Sequence, residues 1–437
     1  MQTVVTNMDS VTRNEKSFVL KGDICFSSDL SHLKTYENQY LICENGVSAG
    51  VFEEIPEKYK ELPLYDYSNK IIIPGLIDLH IHASQYPYRG LGMDLELLDW
   101  LETHAFPEES KYQDITYAKA AYGIFVEDVK HSATTRMCAF ATLHSEATRV
   151  LMELLNDAGI KAYVGKVNMD RNCPDYLREE SVSSAAKDTD QWVLNTMNAY
   201  ENVKPILTPR FTPTCSDDLM KELGNIQKKT KIGMQSHLSE NLSEIEWVKE
   251  LCPNTEFYGE AYHQFGLFGG ECNTIMAHCV YSNEDEMKLM KDNGVMVAIC
   301  PQSNTNIASG IAPTRKYIEH GLKLGLGSDI AGGSSLSMFR AMTDAIQCSR
   351  LYWRLIDQSA EPLKVEEAFY LGTMGGGEYF GKVGSFLPEY EFDAVIIDDT
   401  SIKHPQPLTL KERLERVIYL SDDRNVIGKY VAGVKVL

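Results

Sequence analysis

Three features of this 437-residue chain predict an α/β fold. Its middle alternates apolar, β-branched runs with amphipathic stretches, the pattern of strand followed by helix. Its two ends read instead as short strands separated by polar turns. Polar, chemistry-bearing residues recur at the C-terminal ends of the middle runs. Together these predict a (β/α)8 TIM-type barrel with a small β-sandwich domain formed from both chain ends.

The end strands are Phe18-Val-Leu, Ile24-Cys-Phe, Tyr40-Leu-Ile-Cys and Gly50-Val-Phe, then Phe392-Asp-Ala-Val-Ile-Ile-Asp and the run 426–437. Residues 1–72 and 385–437 are expected to form the two parts of the sandwich, and 73–384 the barrel. The expected barrel strands are 77–82, 134–142, 161–167, 203–210, 232–237, 273–278, 295–300 and 322–329. Helical patterns lie between them. One is 146–158, stopped by Gly159; another is 284–293, capped by Ser282 and stopped by Gly294. A doubly wound sheet is the competing architecture. It would need a glycine-rich turn after its first strand, and His82-Ala-Ser-Gln85 stands there instead.

Composition bounds the function. Hydrophobic residues make up 43% of the chain, enough for a large core. A net charge of −20 argues against nucleic acid and anionic membrane surfaces as partners. No run is long and apolar enough to span a bilayer, and no signal-peptide pattern is read. A cytoplasmic protein is the expectation. The 10 cysteines include no Cys-x-x-Cys pair, so neither a disulfide framework nor a thiolate zinc site is indicated.

The strand ends carry the chemistry. The run Ile71-Ile-Ile-Pro-Gly-Leu-Ile-Asp-Leu-His-Ile-His82 ends in two histidines at alternate positions. Alternate strand residues share a face, so His80 and His82 can share one metal ion. Two histidines are not a full coordination shell. Later strand ends supply Arg210-Phe211, His237-Leu-Ser-Glu240, His278 and Asp329. In a barrel these rim positions converge. Phe211 can stack on a planar base, and Arg210 and Gln85 can hydrogen-bond its polar edge.

These motifs resemble the amidohydrolase superfamily and, within it, the barrel-type guanine deaminases. The most specific segments are His82-Ala83-Ser84-Gln85-Tyr86, Asp94-Leu-Glu-Leu-Leu-Asp-Trp-Leu101, Phe106-Pro-Glu, Thr208-Pro-Arg-Phe211, Ser236-His-Leu-Ser-Glu-Asn241, Gly327-Ser-Asp-Ile-Ala-Gly-Gly333 and Asp422-Asp-Arg-Asn425. The resemblance implies one zinc ion per subunit, with iron as the alternative, held by His80, His82, His237 and Asp329. It implies that hydroxide formed at that ion attacks C2 of guanine, giving xanthine and ammonia in purine catabolism. Asp329, Glu240 and His278 then act as the catalytic groups. Glu240 protonates N3 and passes protons to the leaving amine, and His278 orients the attacking oxygen. Base binding falls to His82, Ala83, Ser84, Gln85, Arg210, Phe211, His237, Glu240 and Asp329. A homodimer is also implied. The sequence departs from the family at Gln302, where asparagine is more usual.

Other motifs carry less. His144-Ser-Glu146 imitates the His-x-Glu of a different zinc deaminase fold, but the required Pro-Cys-x-x-Cys is missing. Gly375-Gly-Gly377 reads as a turn rather than a phosphate cradle. The same metal site acting on cytosine, 8-oxoguanine, an adenosine thioether or a chlorotriazine is the alternative activity. A non-catalytic scaffold on this fold is the alternative of another class, and it would have no need for the complete set of polar strand-end residues.

Overall fold

A computed structural model describes residues 16–437. It contains one mixed sheet and three parallel ones. The mixed sheet holds β1 (Phe18–Asp29), β2 (His32–Glu44), β3 (Val47–Phe52) and β4 (Leu64–Pro74) from the start of the chain. The parallel strands are β5 (Leu76–His82), β6 (Thr134–Phe140), β7 (Lys161–Gly165), β8 (Val167–Asn168), β9 (Val203–Pro205), β10 (Thr208–Pro209), β11 (Met234–Leu238), β12 (Thr274–His278), β13 (Met296–Ile299) and β14 (Lys323–Leu326). The chain then returns to the mixed sheet with β15 (Ala394–Ile397), β16 (Val426–Val431) and β17 (Val434–Lys435).

The mixed sheet runs β17-β16-β15-β4-β1-β2-β3, so both chain ends share it. Its apolar face curls on itself. The Phe18 ring of β1 lies 4.9 Å from Tyr430 of β16, three places away in the strand order. Several local readings change here. Phe18-Val-Leu and Ile24-Cys-Phe belong to one 12-residue strand, and Tyr40–Cys43 ends a 13-residue strand. Much of β2 faces solvent, so its polar side chains hide it from a hydrophobic pattern.

The parallel strands form two four-membered sheets, β5-β6-β7-β9 and β11-β12-β13-β14, and the separate pair β10-β8. Leu207 bridges to Met234, which links the first group to the second. On the other side, Asp329 N–H donates to the His80 carbonyl at 2.8 Å and His82 N–H to the Ile330 carbonyl at 2.9 Å. The chain leaving β14 therefore lies beside β5. Ile77, Leu79, Cys138, Ile206, Ile275, Met296 and Ala298 pack into one cluster, so strands of both sheets face a common interior.

The expected strand 203–210 divides into β9 and β10 at Ile206–Leu207, where the Ile206 N–H still donates to the Val164 carbonyl and the Leu207 N–H turns to the Gly233 carbonyl. The expected strand 161–167 divides at Lys166, whose buried ammonium is paired with Glu179 at 2.6 Å. Helix Glu284–Asn293 has the expected bounds, and Gly294 ends it at φ +67°. Its cap is Asn283 rather than Ser282: the Asn283 carboxamide oxygen accepts the Glu286 N–H at 2.8 Å.

Candidate active site

The strand ends converge. His80 and His82 close β5, His237 lies near the end of β11, and His278 ends β12. Glu240 follows β11 by two residues, and Asp329 follows β14 by three. His278 and Asp329 have φ of +71° and +46°, a region that side chains other than glycine rarely adopt. The strands thus turn abruptly where these two side chains are presented, at a cost of order 1 kcal/mol or more each.

His82 Nε2 lies 3.1 Å from His237 Nε2, and His80 Nε2 lies 3.1 Å from Asp329 Oδ1. Asp329 Oδ1 is also 3.6 Å from His82 Nε2. Donors around a tetrahedral ion with bonds of about 2.0–2.1 Å stand about 3.3 Å apart, so these three spacings are those of groups that could share one metal ion; His80, His82 and His237 form one candidate cluster, and His80, His278, Cys300 and Asp329 another. The proton arrangement agrees. His237 Nδ1 faces the Arg210 carbonyl at 2.5 Å and donates there, which turns the Nε2 lone pair inward. His80 Nε2 is buried with no hydrogen-bond partner. Burial holds His80 below, and His82 and His237 well below, the ordinary histidine range, so the imidazoles are neutral and could serve as ligands. Burial alone would raise Asp329, but His80, His278 and His82 around it hold the carboxyl well below the usual range. Three imidazoles and a carboxylate suit a divalent ion of the zinc type.

Glu240 and His278 stand beside this cluster. His278 Nε2 is 3.4 Å from Glu240 Oε2 and 3.6 Å from Asp329 Oδ2. Its Nδ1 donates to Asn304 Oδ1 at 2.8 Å, which fixes the ring. Burial opposes the His278 cation, but the facing Glu240 and Asp329 carboxylates raise it above the ordinary value. Burial pushes the Glu240 carboxyl up to about 7, against the opposing pull of His278. Ser309 Oγ donates to Glu240 Oε1 at 3.0 Å.

A cavity opens beside these groups, lined by His82, Gln85, Arg210, Phe211 and His237 together with the apolar Leu97, Trp100 and Leu101. Arg210 and Gln85 are both buried, and both are held by a residue that sequence reading missed. Glu109 Oε2 accepts from Arg210 Nη1 at 2.6 Å, and Glu109 Oε1 accepts from Gln85 Nε2 at 2.8 Å. The segment Phe106-Pro-Glu, one residue short of Glu109, was the signal nearest to it. Ala83 and Ser84 are not part of the cavity wall. The chain enters a 3-10 turn after His82, and Ser84 spends its hydroxyl on the Ala141 carbonyl at 2.9 Å. Gln302 lies off the cavity. Its Oε1 accepts the Ser334 and Ser335 N–H groups at 2.7 and 3.0 Å, tying down the loop after Asp329. His144 is half-buried, with no partner for Nε2.

Comparison with known proteins agrees with this arrangement. The amidohydrolase family profile matches residues 71–436. A guanine deaminase of Dictyostelium discoideum is 38% identical, over 96% of this chain and 98% of its own. The Homo sapiens guanine deaminase is 37% identical over 87% of this chain and 85% of its own. A crystal structure of guanine deaminase from C. acetobutylicum, with guanine bound in the active site, superposes with a TM-score of 0.94 at 46% identity, covering 96% of this chain and 100% of that one. The chain belongs to the amidohydrolase family, in the branch of these guanine deaminases.

Proposed function

We propose that the protein is a hydrolytic guanine deaminase, converting guanine and water to xanthine and ammonia. The observation that carries this is one cavity with a His–Asp cluster at one end and a buried, carboxylate-held arginine at the other. Its relatives of known name over nearly the whole chain support the same reading. The test is ammonia release from a panel of purines and pyrimidines. Guanine turnover with no cytosine or adenine turnover is expected, and failure on guanine refutes the proposal.

His80, His82, His237 and Asp329 would hold one zinc ion. When bound, such an ion supplies Lewis acidity that lowers the pKa of a water from about 16 to about 7. The chain's own groups do the rest. Asp329 accepts the proton of the attacking water at Oδ2. His278 Nε2, directed by Asn304, orients that oxygen and stabilises its charge as it adds to C2. Glu240 delivers its proton to N3, takes up the second proton of the attacking water, passes it to the leaving amine and is restored by the proton held on Asp329; a carboxyl near 7 suits it to both directions of transfer. Phe211 stacks on the base, with its ring edge-on to His237 at 6.4 Å. Arg210 and Gln85 read the O6 edge.

The same reading extends to architecture. The parallel strands are proposed to close into a (β/α)8 barrel over residues 73–384, supported by the Leu207–Met234 bridge and the contact of β5 with the chain after β14. Residues 1–72 and 385–437 are proposed to form the flanking sandwich, supported by the curl that brings Phe18 to Tyr430; residues 1–15 lie outside the described part. Among the described residues no helix is long and apolar enough to cross a membrane. A cytoplasmic homodimer is proposed from the family resemblance, and sedimentation of the pure protein tests the assembly.

A further inference from the structure

We propose that Glu109 is the selectivity-setting residue of this site, a positioning residue whose single carboxylate locks Arg210 and Gln85 into the geometry that reads O6 of the base. This rests on the guanine reading above. Glu109 lies in the helical turn Phe106–Ser110 and is 1% exposed. Its two oxygens are divided between the two reading residues, Oε2 to Arg210 Nη1 and Oε1 to Gln85 Nε2. Phe106, three residues earlier on the same turn, lies against the guanidinium with its ring centre 5.1 Å from Arg210 Cζ. The arginine is therefore gripped by a ring face and a carboxylate from one short element.

The glutamine is fixed as firmly. Gln85 Oε1 accepts the Ala331 N–H at 3.0 Å, while its Nε2 donates to Glu109, so its amide has one orientation. Ala331 is two residues from Asp329, which ties the reading edge to the catalytic end of the cavity. Among the described residues Glu109 is the only side chain hydrogen-bonded to the Arg210 guanidinium. The remaining N–H groups of that fork are left for acceptors on a ligand. Guanine presents such acceptors at O6 and N7, and adenine presents an amino donor in place of O6. A glutamine at position 109 could not serve both partners, because its amide offers one acceptor oxygen and one donor nitrogen where two acceptors are required.

The test compares wild type with Glu109→Gln, Arg210→Met and the double variant on guanine and on 2-aminopurine, which carries the same C2 amine but no oxygen at C6. Metal content and melting temperature are measured on each. Glu109→Gln is expected to raise KM for guanine about 10- to 100-fold with kcat changed less than about 3-fold, the size expected for one charge-assisted hydrogen bond. On 2-aminopurine the KM penalty is expected to shrink below about 3-fold, and the double variant is expected to lose at least as much on guanine as Arg210→Met, the excess being the release of Gln85. An equal penalty on both bases would make Glu109 a structural residue and overturn this proposal alone. If Glu109→Gln does not fold, the charge-balanced double variant decides, and an equal KM penalty on guanine and on 2-aminopurine relative to wild type overturns the proposal. Absence of guanine turnover by the wild type overturns the functional reading, and this proposal with it.

Discussion

Substituting Glu240 with glutamine separates proton transfer from every other role of that side chain. The residue is 3% exposed and touches Ser309 Oγ at 3.0 Å and His278 Nε2 at 3.4 Å. Glutamine has the same shape and can keep the Ser309 contact, so packing and cavity volume are preserved. What it cannot do is carry a proton to N3 and onward. Burial pushes the Glu240 carboxyl up to about 7, so the group can both hold and release a proton near neutral pH. A positioned group of this kind contributes about 10²- to 10⁴-fold. At about 1.36 kcal/mol per decade, this is about 2.7–5.4 kcal/mol of barrier. The expected result is a kcat loss of that size, with guanine KM and metal stoichiometry unchanged. The assay is steady-state ammonia release, with metal analysis of the same preparation. Full activity would place the shuttle elsewhere, and loss of metal would make Glu240 a ligand.

Three further outcomes follow from the same structure. Alanine at His80, His82 or His237 should strip the ion and abolish turnover, since an open site with fewer donors binds weakly; full metal stoichiometry in all three variants would refute the ligand set. Arg210→Met should raise guanine KM while leaving the metal in place, and wild type should show no measurable adenine turnover, because a polar site rejects a mismatched edge by about 10⁴- to 10⁵-fold; unchanged kcat/KM in the variant would move base reading to Gln85. Lys429 is fully buried, donating to the Val129 and Thr134 carbonyls at 2.7 and 3.0 Å, and burial lowers its pKa from 10.5 to about 7. Between those values the unfolded chain binds more protons than the folded one, so Lys429 makes stability rise with pH. Melting of wild type and Lys429→Met at pH 7 and 9 should show a steeper gain with pH in the wild type; equal slopes would refute the assignment.

The sequence by itself determined what is written locally. β-branched runs and their breaks located the parallel strands to within a few residues. The helix Glu284–Asn293 was legible end to end, because acidic first-turn residues and Gly294 are local signals; only its cap moved, from Ser282 to Asn283. Histidines at strand ends were legible as a set, since strand direction alone decides which end they occupy. Tertiary structure decided what depends on partners remote in the chain. Glu109 meets Gln85 across 24 positions and Arg210 across 101, and nothing local in the sequence marks an acid whose partner is brought to it by folding. The curl that sets Phe18 against Tyr430 arises from packing between strands of opposite chain ends. Ser84 lies in a motif that pointed to the base, yet its hydroxyl turns to the Ala141 carbonyl of a neighbouring segment. A buried donor goes to whichever acceptor the fold brings near, because leaving it unpaired costs about 1–3 kcal/mol. That choice is made by the assembled interior rather than by sequence neighbours.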